Sequence, residues 1–410
     1  MSTSESPLKP KQVKIIHPIL GVNLSFTNSG ERYKNRDDLI LIHFNINSKL
    51  AGVFTNSTAA SEAVKWCKKI IKNTYIRAII VNAGNANVFT GEIGKGAIEK
   101  IISKLSSCLK IFKNQILIAQ TGVIGEPLHT NKIVNSISKL TDNLSSNNWL
   151  GAAKAIMTTD TYPKYSSLYY NFEGAKIHLT GIAKGSGMIA PNMATMLAFI
   201  STDIKISKPI LQKILEEVNE ETFNAITVDG DTSTSDTVII SATGIAENKI
   251  IKSKKDKHYE KFKSALYTIS KDLALQIVRD GEGASKLISV RVAGTKNKKI
   301  SKKIAFSIAN SPLVKTAISA EDANWGRIIM AIGKTREIFN NKKLKIYLGK
   351  YLITSNGKRH NRYSENKVSK YMKNSEIEIY VEFGSKRNEA SVWTCDLTHK
   401  YIDINGSYRS

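Results

Sequence analysis

Between Leu39 and Gly122 the apolar residues change their spacing four times. LILIHF (Leu39 to Phe44) is a short β-branched run, and SEAVKWCKKIIK (Ser61 to Lys72) repeats at the helical period. AIIVNAG (Ala78 to Gly84) is a run again, GAIEKIISKL (Gly96 to Leu105) is helical, and QILIAQTG (Gln115 to Gly122) is another run. Strand-length runs alternating with amphipathic helices can bury their apolar faces only as a sheet covered by helices, which predicts an α/β fold. The same reading predicts helices over Asn131 to Leu144, Trp149 to Thr158, Lys208 to Glu220 and His258 to Val278. Strands are predicted near Ser167 to Leu179, Met196 to Ser201, Thr237 to Ala242 and Leu287 to Val292. The C-terminal part reads as strand-rich, with EIEIYVEFG (Glu376 to Gly384), EASVWTC (Glu389 to Cys395) and YIDIN (Tyr401 to Asn405).

At 410 residues the chain exceeds the roughly 250 to 300 residues that one core supports, so two domains or one domain with a large second layer are expected, with the smaller α/β portion C-terminal. Lysine-rich or polar loops around Lys252 to Lys257 and Ser355 to Asn374 are the expected tethers. Three scattered cysteines make no disulfide framework, and no apolar run reaches the ~18 residues of a membrane span, which points to the cytoplasm. The net charge of +25 would suit a nucleic acid, yet the excess is Lys beside Ile and Asn, without the aromatic or Arg-rich interleaving that reads bases. No nucleic-acid or membrane partner is expected.

The most unusual stretch is GIAKGSGMIAPNMATMLAFISTD, Gly181 to Asp203. Gly185 and Gly187 allow left-handed backbone and close approach, and a hydroxyl residue, Thr195, stands where a buried strand begins. That arrangement suits an acyl shift in which the Thr195 hydroxyl reaches the carbonyl of Ala194. Cleavage there would leave Thr195 with its hydroxyl and a new α-amine, and an α-amine of pKa about 7.7 to 8.0 can take up the hydroxyl proton near neutrality. By physics alone, a Gly-rich hairpin with a buried strand explains the same residues.

KGSGMIAPNMATMLAF closely resembles the self-cleaving segment of the ornithine acetyltransferase (bifunctional glutamate N-acetyltransferase) family. Other landmarks follow in that family's order: AGVFT (Ala51 to Thr55), VNAGNAN (Val81 to Asn87), TGVIGEPL (Thr121 to Leu128), TTDTYPK (Thr158 to Lys164), FNAITVDGDTSTSDT (Phe223 to Thr237), RDGEGASKL (Arg279 to Leu287), SPLVKTAISAEDANWGRI (Ser311 to Ile328) and NGSYRS (Asn405 to Ser410). The chain departs from relatives at Val88 and Phe89, which are bulkier, and at Ser410, which stands where many have Thr.

The resemblance implies a layered α/β sandwich, cleavage between Ala194 and Thr195, an α chain of residues 1–194 and a β chain of residues 195–410. It implies Thr195 as nucleophile, with the Thr121 hydroxyl and Gly122 amide as oxyanion hole. Substrate is held by residues matching Thr158, Lys184, Thr195, Glu282, Asn405 and Ser410. The reaction implied is ping-pong transfer of acetyl from N-acetylornithine to glutamate, and Lys184 and Glu282 suit the oppositely charged ends of such an amino acid by sign. No cofactor is expected; acetyl-CoA is a co-substrate in some members. Two α and two β pieces associate in the family's habit.

VDGDTSTSDT offers Asp229, Asp231 and Asp236 to a metal but lacks the Gly and Glu positions of a calcium loop, so a hydroxyl-rich structural turn is the expected reading and no metal is assigned. Two other classes compete. An amino-terminal-nucleophile hydrolase would also cut itself but pass acyl groups to water, and a basic nucleic-acid-binding protein would stay whole and bind in a salt-dependent way.

Overall fold

The computed structural model describes residues 4–12, 15–73, 75–190 and 196–406. Ala194, Thr195 and Ser410 therefore lie outside the described residues. The chain divides into two compact units. The larger comprises Lys11–Asn224 and Asp231–Ile277, and the smaller comprises Met1–Pro10, Ala225–Gly230 and Val278–Ser410.

The larger unit holds β1 (Val22–Thr27), β2 (Leu39–Phe54), α1 (Glu62–Ile70), β3 (Ile76–Asn85), α2 (Gly91–Leu109), β4 (Ile116–Val123), α3 (Thr130–Asp142) and α4 (Trp149–Ala155). It continues with β5 (Lys164–Phe172), β6 (Ala175–Lys184), β7 (Leu197–Thr202), α5 (Lys208–Glu221), β8 (Thr237–Ala242) and most of α6 (Lys257–Arg279). Its eight strands make one sheet in the order β4-β3-β2-β8-β7-β6-β5, with β1 on β2. The pairs β3/β4 and β7/β8 are parallel.

Strand period explains why the runs look uniformly apolar. Leu39, Leu41, Ala78, Ile80, Ile116 and Ile118 belong to one buried cluster, while Ile40, Ile42, Ile79, Val81, Leu117 and Ala119 belong to another. Alternate residues thus enter cores on opposite faces of one sheet, and both faces are covered. Helices α2 and α3 supply Ile98, Ile101, Leu105, Ile133 and Ile137 to the first cluster, and α4 supplies Trp149, Ala152 and Ala153 to the second.

The smaller unit holds β9 (Leu287–Ala293), α7 (Lys298–Ala309), α8 (Pro312–Ser319), α9 (Trp325–Gly333), β10 (Leu344–Leu348) and β11 (Tyr351–Ser355). It ends with β12 (Lys358–Arg359), α10 (Glu365–Met372), β13 (Glu376–Phe383), β14 (Ala390–Cys395) and α11 (His399–Gly406). Six strands lie in the order β12-β11-β10-β13-β9-β14 over a core that includes Val290, Val292, Ile304, Ile308, Ile377 and Ile379. The expected α/β class, with a smaller and mainly C-terminal portion, is what the structure has.

Three local expectations need correction. Tyr401 to Asn405 is helical, within α11: five residues cannot separate a period of 2 from 3.6, and Ile402 is 68% exposed, so no sheet face claims it. The stretch Ser167 to Leu179 is a hairpin rather than one strand, because Glu173 (φ 48°) and Gly174 (φ 84°) form a two-residue left-handed turn between β5 and β6. The expected tethers are not unit boundaries. Residues 252–257 lead into α6, and residues 355–374 contain β12 and α10.

Candidate active site

The predicted oxyanion residues, Thr121 and Gly122, stand near the end of β4, beside the end of its parallel neighbour β3. Ala83 is opposite Thr121 and Gly84 opposite Gly122, and the regular ladder breaks at Asn85. Gly122 has φ 132°, and a Cβ there would sit 2.1 Å from the Gly84 carbonyl carbon and 2.5 Å from the Asn85 nitrogen. Only glycine lets the two backbones come this close. The VNAGNAN segment holds them in place with buried amides. Gln120 Nε2 donates to Asn82 Oδ1 at 2.7 Å, Asn87 Nδ2 to Gln120 Oε1 at 3.0 Å, and Asn82 Nδ2 to the Asn85 carbonyl at 3.1 Å. Such a network fixes a strand end only when every member is paired.

Lys184, the last residue of β6, is 2% exposed, and its Nζ donates to the Thr121 hydroxyl at 3.4 Å, the long end of a hydrogen bond. The adjacent Gly185 (φ 151°) donates its amide to Asp160 Oδ1 at 2.7 Å. The same Oδ1 accepts Lys164 Nζ at 2.6 Å, and Oδ2 accepts the Thr158 amide at 2.9 Å. Asp160 therefore ties Thr158 to the Lys184–Gly185 segment. Burial pushes its carboxyl up, but the Lys164 and Lys184 charges and the Gly185 amide outweigh burial and hold it well below the usual carboxylate range. Sequence reasoning passed over Asp160. Its signal was the i,i+4 Asp–Lys pair inside TTDTYPK.

Beyond the expected cut, the first described residue is anchored at both polar ends. The Met196 amide donates to Asp236 Oδ1 at 3.0 Å, and the Met196 carbonyl accepts the Thr237 amide at 3.1 Å. Asp236 is itself held, since its carbonyl accepts the Thr55 amide at 3.1 Å, while Thr55 Oγ1 donates to the Ser233 carbonyl at 2.6 Å. Burial raises the Asp236 carboxyl well above its ordinary range, against the opposing Met196 amide, Ser233 side chain and Lys184 charge. The hydroxyl-rich turn thus supports the start of β7. Among the described residues no cluster of three His, Cys, Asp or Glu side chains could hold a metal, and no helix is long and apolar enough to cross a membrane.

In the smaller unit, Glu282 is 7% exposed, and its Oε2 accepts Asn405 Nδ2 at 2.7 Å. Gly283 (φ 74°) leaves no room for a side chain beside Lys400 and Tyr401, so the Glu282 loop packs directly on α11. Thr121, Gly122, Thr158 and Lys184 gather in the larger unit, and Glu282 and Asn405 in the smaller.

The sequence matches the ArgJ family over residues 23–410. The arginine biosynthesis bifunctional protein ArgJ of Bartonella henselae is 46% identical over 410 residues, and that of Mesorhizobium japonicum 45% over 413, each covering 100% of both chains. Among solved structures, the arginine biosynthesis bifunctional protein argJ from Bacillus halodurans is similar, with 40% identity over 51% of this chain and 97% of that one, at a TM-score of 0.48. With its whole length matched at this identity, the chain belongs to the ArgJ family.

Proposed function

We propose that this chain cuts itself between Ala194 and Thr195 and then moves an acetyl group from N2-acetyl-L-ornithine to L-glutamate through an ester on Thr195. As an ArgJ-family member it is an acyltransferase of arginine biosynthesis. The observation that carries the finer reading is the anchoring of Met196, covalently next to Thr195, in the same unit as the Thr121–Gly122 strand end and Lys184.

In the first stage the Thr195 hydroxyl attacks the Ala194 carbonyl. The C–N bond breaks, the nitrogen takes the proton, and water hydrolyses the resulting ester to leave a carboxylate on Ala194. In the second stage the freed α-amine accepts the hydroxyl proton as Thr195 attacks the acetyl carbonyl. The oxyanion is assigned to the Thr121 hydroxyl and Gly122 amide, donors of a kind worth about 3–4 kcal/mol each. Ornithine leaves with its nitrogen protonated, and the glutamate amine attacks the ester, regenerating Thr195. Thr158, Lys184, Glu282, Asn405 and Ser410 are assigned to substrate, with Lys184 suited to a carboxylate and Glu282 to an ammonium.

The pieces 1–194 and 195–410 are proposed to stay together, because β6 and β7, which flank the cut, are antiparallel neighbours in one sheet. Two of each would form the enzyme, acting in the cytoplasm on small-molecule substrates without a cofactor. The relatives are named bifunctional, which favours acetyl-CoA as a second donor. Intact mass of the wild type beside Thr195→Ala tests the cut: two fragments meeting at Ala194 and Thr195 are expected in the first and one chain in the second. Acetylglutamate formation separates this reading from a hydrolase, which would release acetate.

A further inference from the structure

Asp236 stands apart among the groups so far described. Its side chain is fully buried, and Oδ2 has no hydrogen-bond partner among the described residues. An acid in that position costs more than an apolar residue of similar size would, so packing does not explain it. What the carboxyl grips is the Met196 N–H, with the Ser233 side chain also acting on it. Oδ1 takes the Met196 amide at 3.0 Å, and the next residue, Thr237, takes the Met196 carbonyl at 3.1 Å. Residues 236 and 237 thus hold Met196 by both polar groups of its backbone. The base of the grip is rigid, because the Asp236 carbonyl is bonded to the Thr55 amide and Thr237 opens β8, which pairs with both β2 and β7.

The Met196 amide belongs to the same planar peptide unit as the Thr195 carbonyl carbon, which is bonded directly to the Thr195 Cα. Fixing that N–H fixes the peptide plane to which the Thr195 Cα belongs. Lys184, the residue against Thr121, acts on the Asp236 carboxyl through its charge, so the grip and the oxyanion strand end share one electrostatic neighbour.

We infer that Asp236 is a positioning residue for Thr195: its carboxyl oxygen holds the Met196 amide so that the nucleophile is aimed, first at the Ala194 carbonyl and then at the acetyl group. This rests on the Thr195 reading above. Asp236 takes no part in bond making. The requirement is an acceptor at Oδ1, which an asparagine also supplies and which alanine or leucine does not.

The test compares Asp236→Asn, Asp236→Ala and Asp236→Leu with the wild type, following self-cleavage of freshly produced full chain by intact mass, then kcat and KM with N-acetylornithine. Far-UV circular dichroism and melting establish that each variant is folded. Asp236→Asn is expected to cleave and turn over within a few-fold of the wild type. Asp236→Leu, which keeps the branched shape but is larger and offers no acceptor, is expected to slow cleavage and kcat on the order of a hundredfold, the penalty of a small misplacement of a reacting group, with KM little changed. Alanine should follow leucine. Cleavage of Asp236→Leu or Asp236→Ala at the wild-type rate overturns the inference alone. So does an Asp236→Asn chain that is folded but as slow as alanine, since a hydrogen-bond acceptor would then not suffice. A wild-type chain that stays whole overturns the Thr195 reading and this inference with it.

Discussion

Asp160 and Lys164 form an ion pair at 2.6 Å with both side chains wholly shielded from water. The carboxylate that neutralises Lys164 also receives the amides of Thr158 and Gly185. A pair this deep contributes little net stability by itself, but breaking it from one side leaves a charge stranded. Its structural effect is to join the Thr158 loop to the segment that carries Lys184.

Asp160→Asn should therefore destabilise the fold by about 3–5 kcal/mol, because the Lys164 ammonium loses its counter-charge. The pH dependence has a definite sign. The folded-state carboxyl titrates below its unfolded value of 3.8, so its stabilisation is complete above that pH and fades as pH falls through the folded-state value. Denaturant unfolding of both proteins should show a wide gap near neutrality that narrows below about pH 4. A gap that is constant with pH would contradict the assignment.

Gly122→Ala should cost both fold and chemistry. The new methyl would need to occupy space 2.1 Å from Gly84, at a φ that L side chains rarely adopt. The strand end must part from β3, moving the proposed amide donor, and kcat should fall about 10²- to 10³-fold. Melting temperature and steady-state kinetics measure the two effects, and an unchanged kcat would remove Gly122 from the oxyanion role.

The strands that carry this region were legible because apolar runs buried on both faces leave an uninterrupted apolar signature, as in Ala78 to Val81 and Ile116 to Ala119. Helices α8 and α9 were within reach but went unassigned. Ser311 caps Val314, and Pro312 occupies the first turn of α8, a recognisable start. The residues that support the site were harder to see. Asp236 invited a metal reading since three aspartates close in sequence suggest ligands, whereas its actual partner is a backbone amide 40 positions away. Long-range backbone partners leave no periodic trace in a sequence. Asn405 was placed on a strand because the apolar alternation of Tyr401 to Asn405 is too short to fix its period, yet its link to Glu282 does not depend on that.

Thr121→Val removes the hydroxyl while keeping the volume of a residue that is 1% exposed. We expect kcat to drop on the order of a hundredfold with KM nearly unchanged, since the role proposed for the lost donor lies in the transition state. A rise in KM at constant kcat would mean instead that the hydroxyl serves ground-state binding.

Glu282→Gln keeps a partner for Asn405 and removes a charge. Self-cleavage should proceed as in the wild type, while KM for N-acetylornithine rises at least about tenfold through loss of the proposed charged contact to the ornithine ammonium. Intact mass and steady-state kinetics on one preparation check both halves. Wild-type KM would exclude Glu282 from substrate recognition.

The proposed reaction passes through an acetyl ester on Thr195. Cleaved protein mixed with N-acetylornithine in the absence of glutamate, then quenched and fragmented in a mass spectrometer, reads it directly. One acetyl group is expected on the fragment that begins at Thr195, located on that residue and discharged as acetylglutamate when glutamate is added. No adduct, an adduct on another residue, or discharge only to free acetate would contradict it.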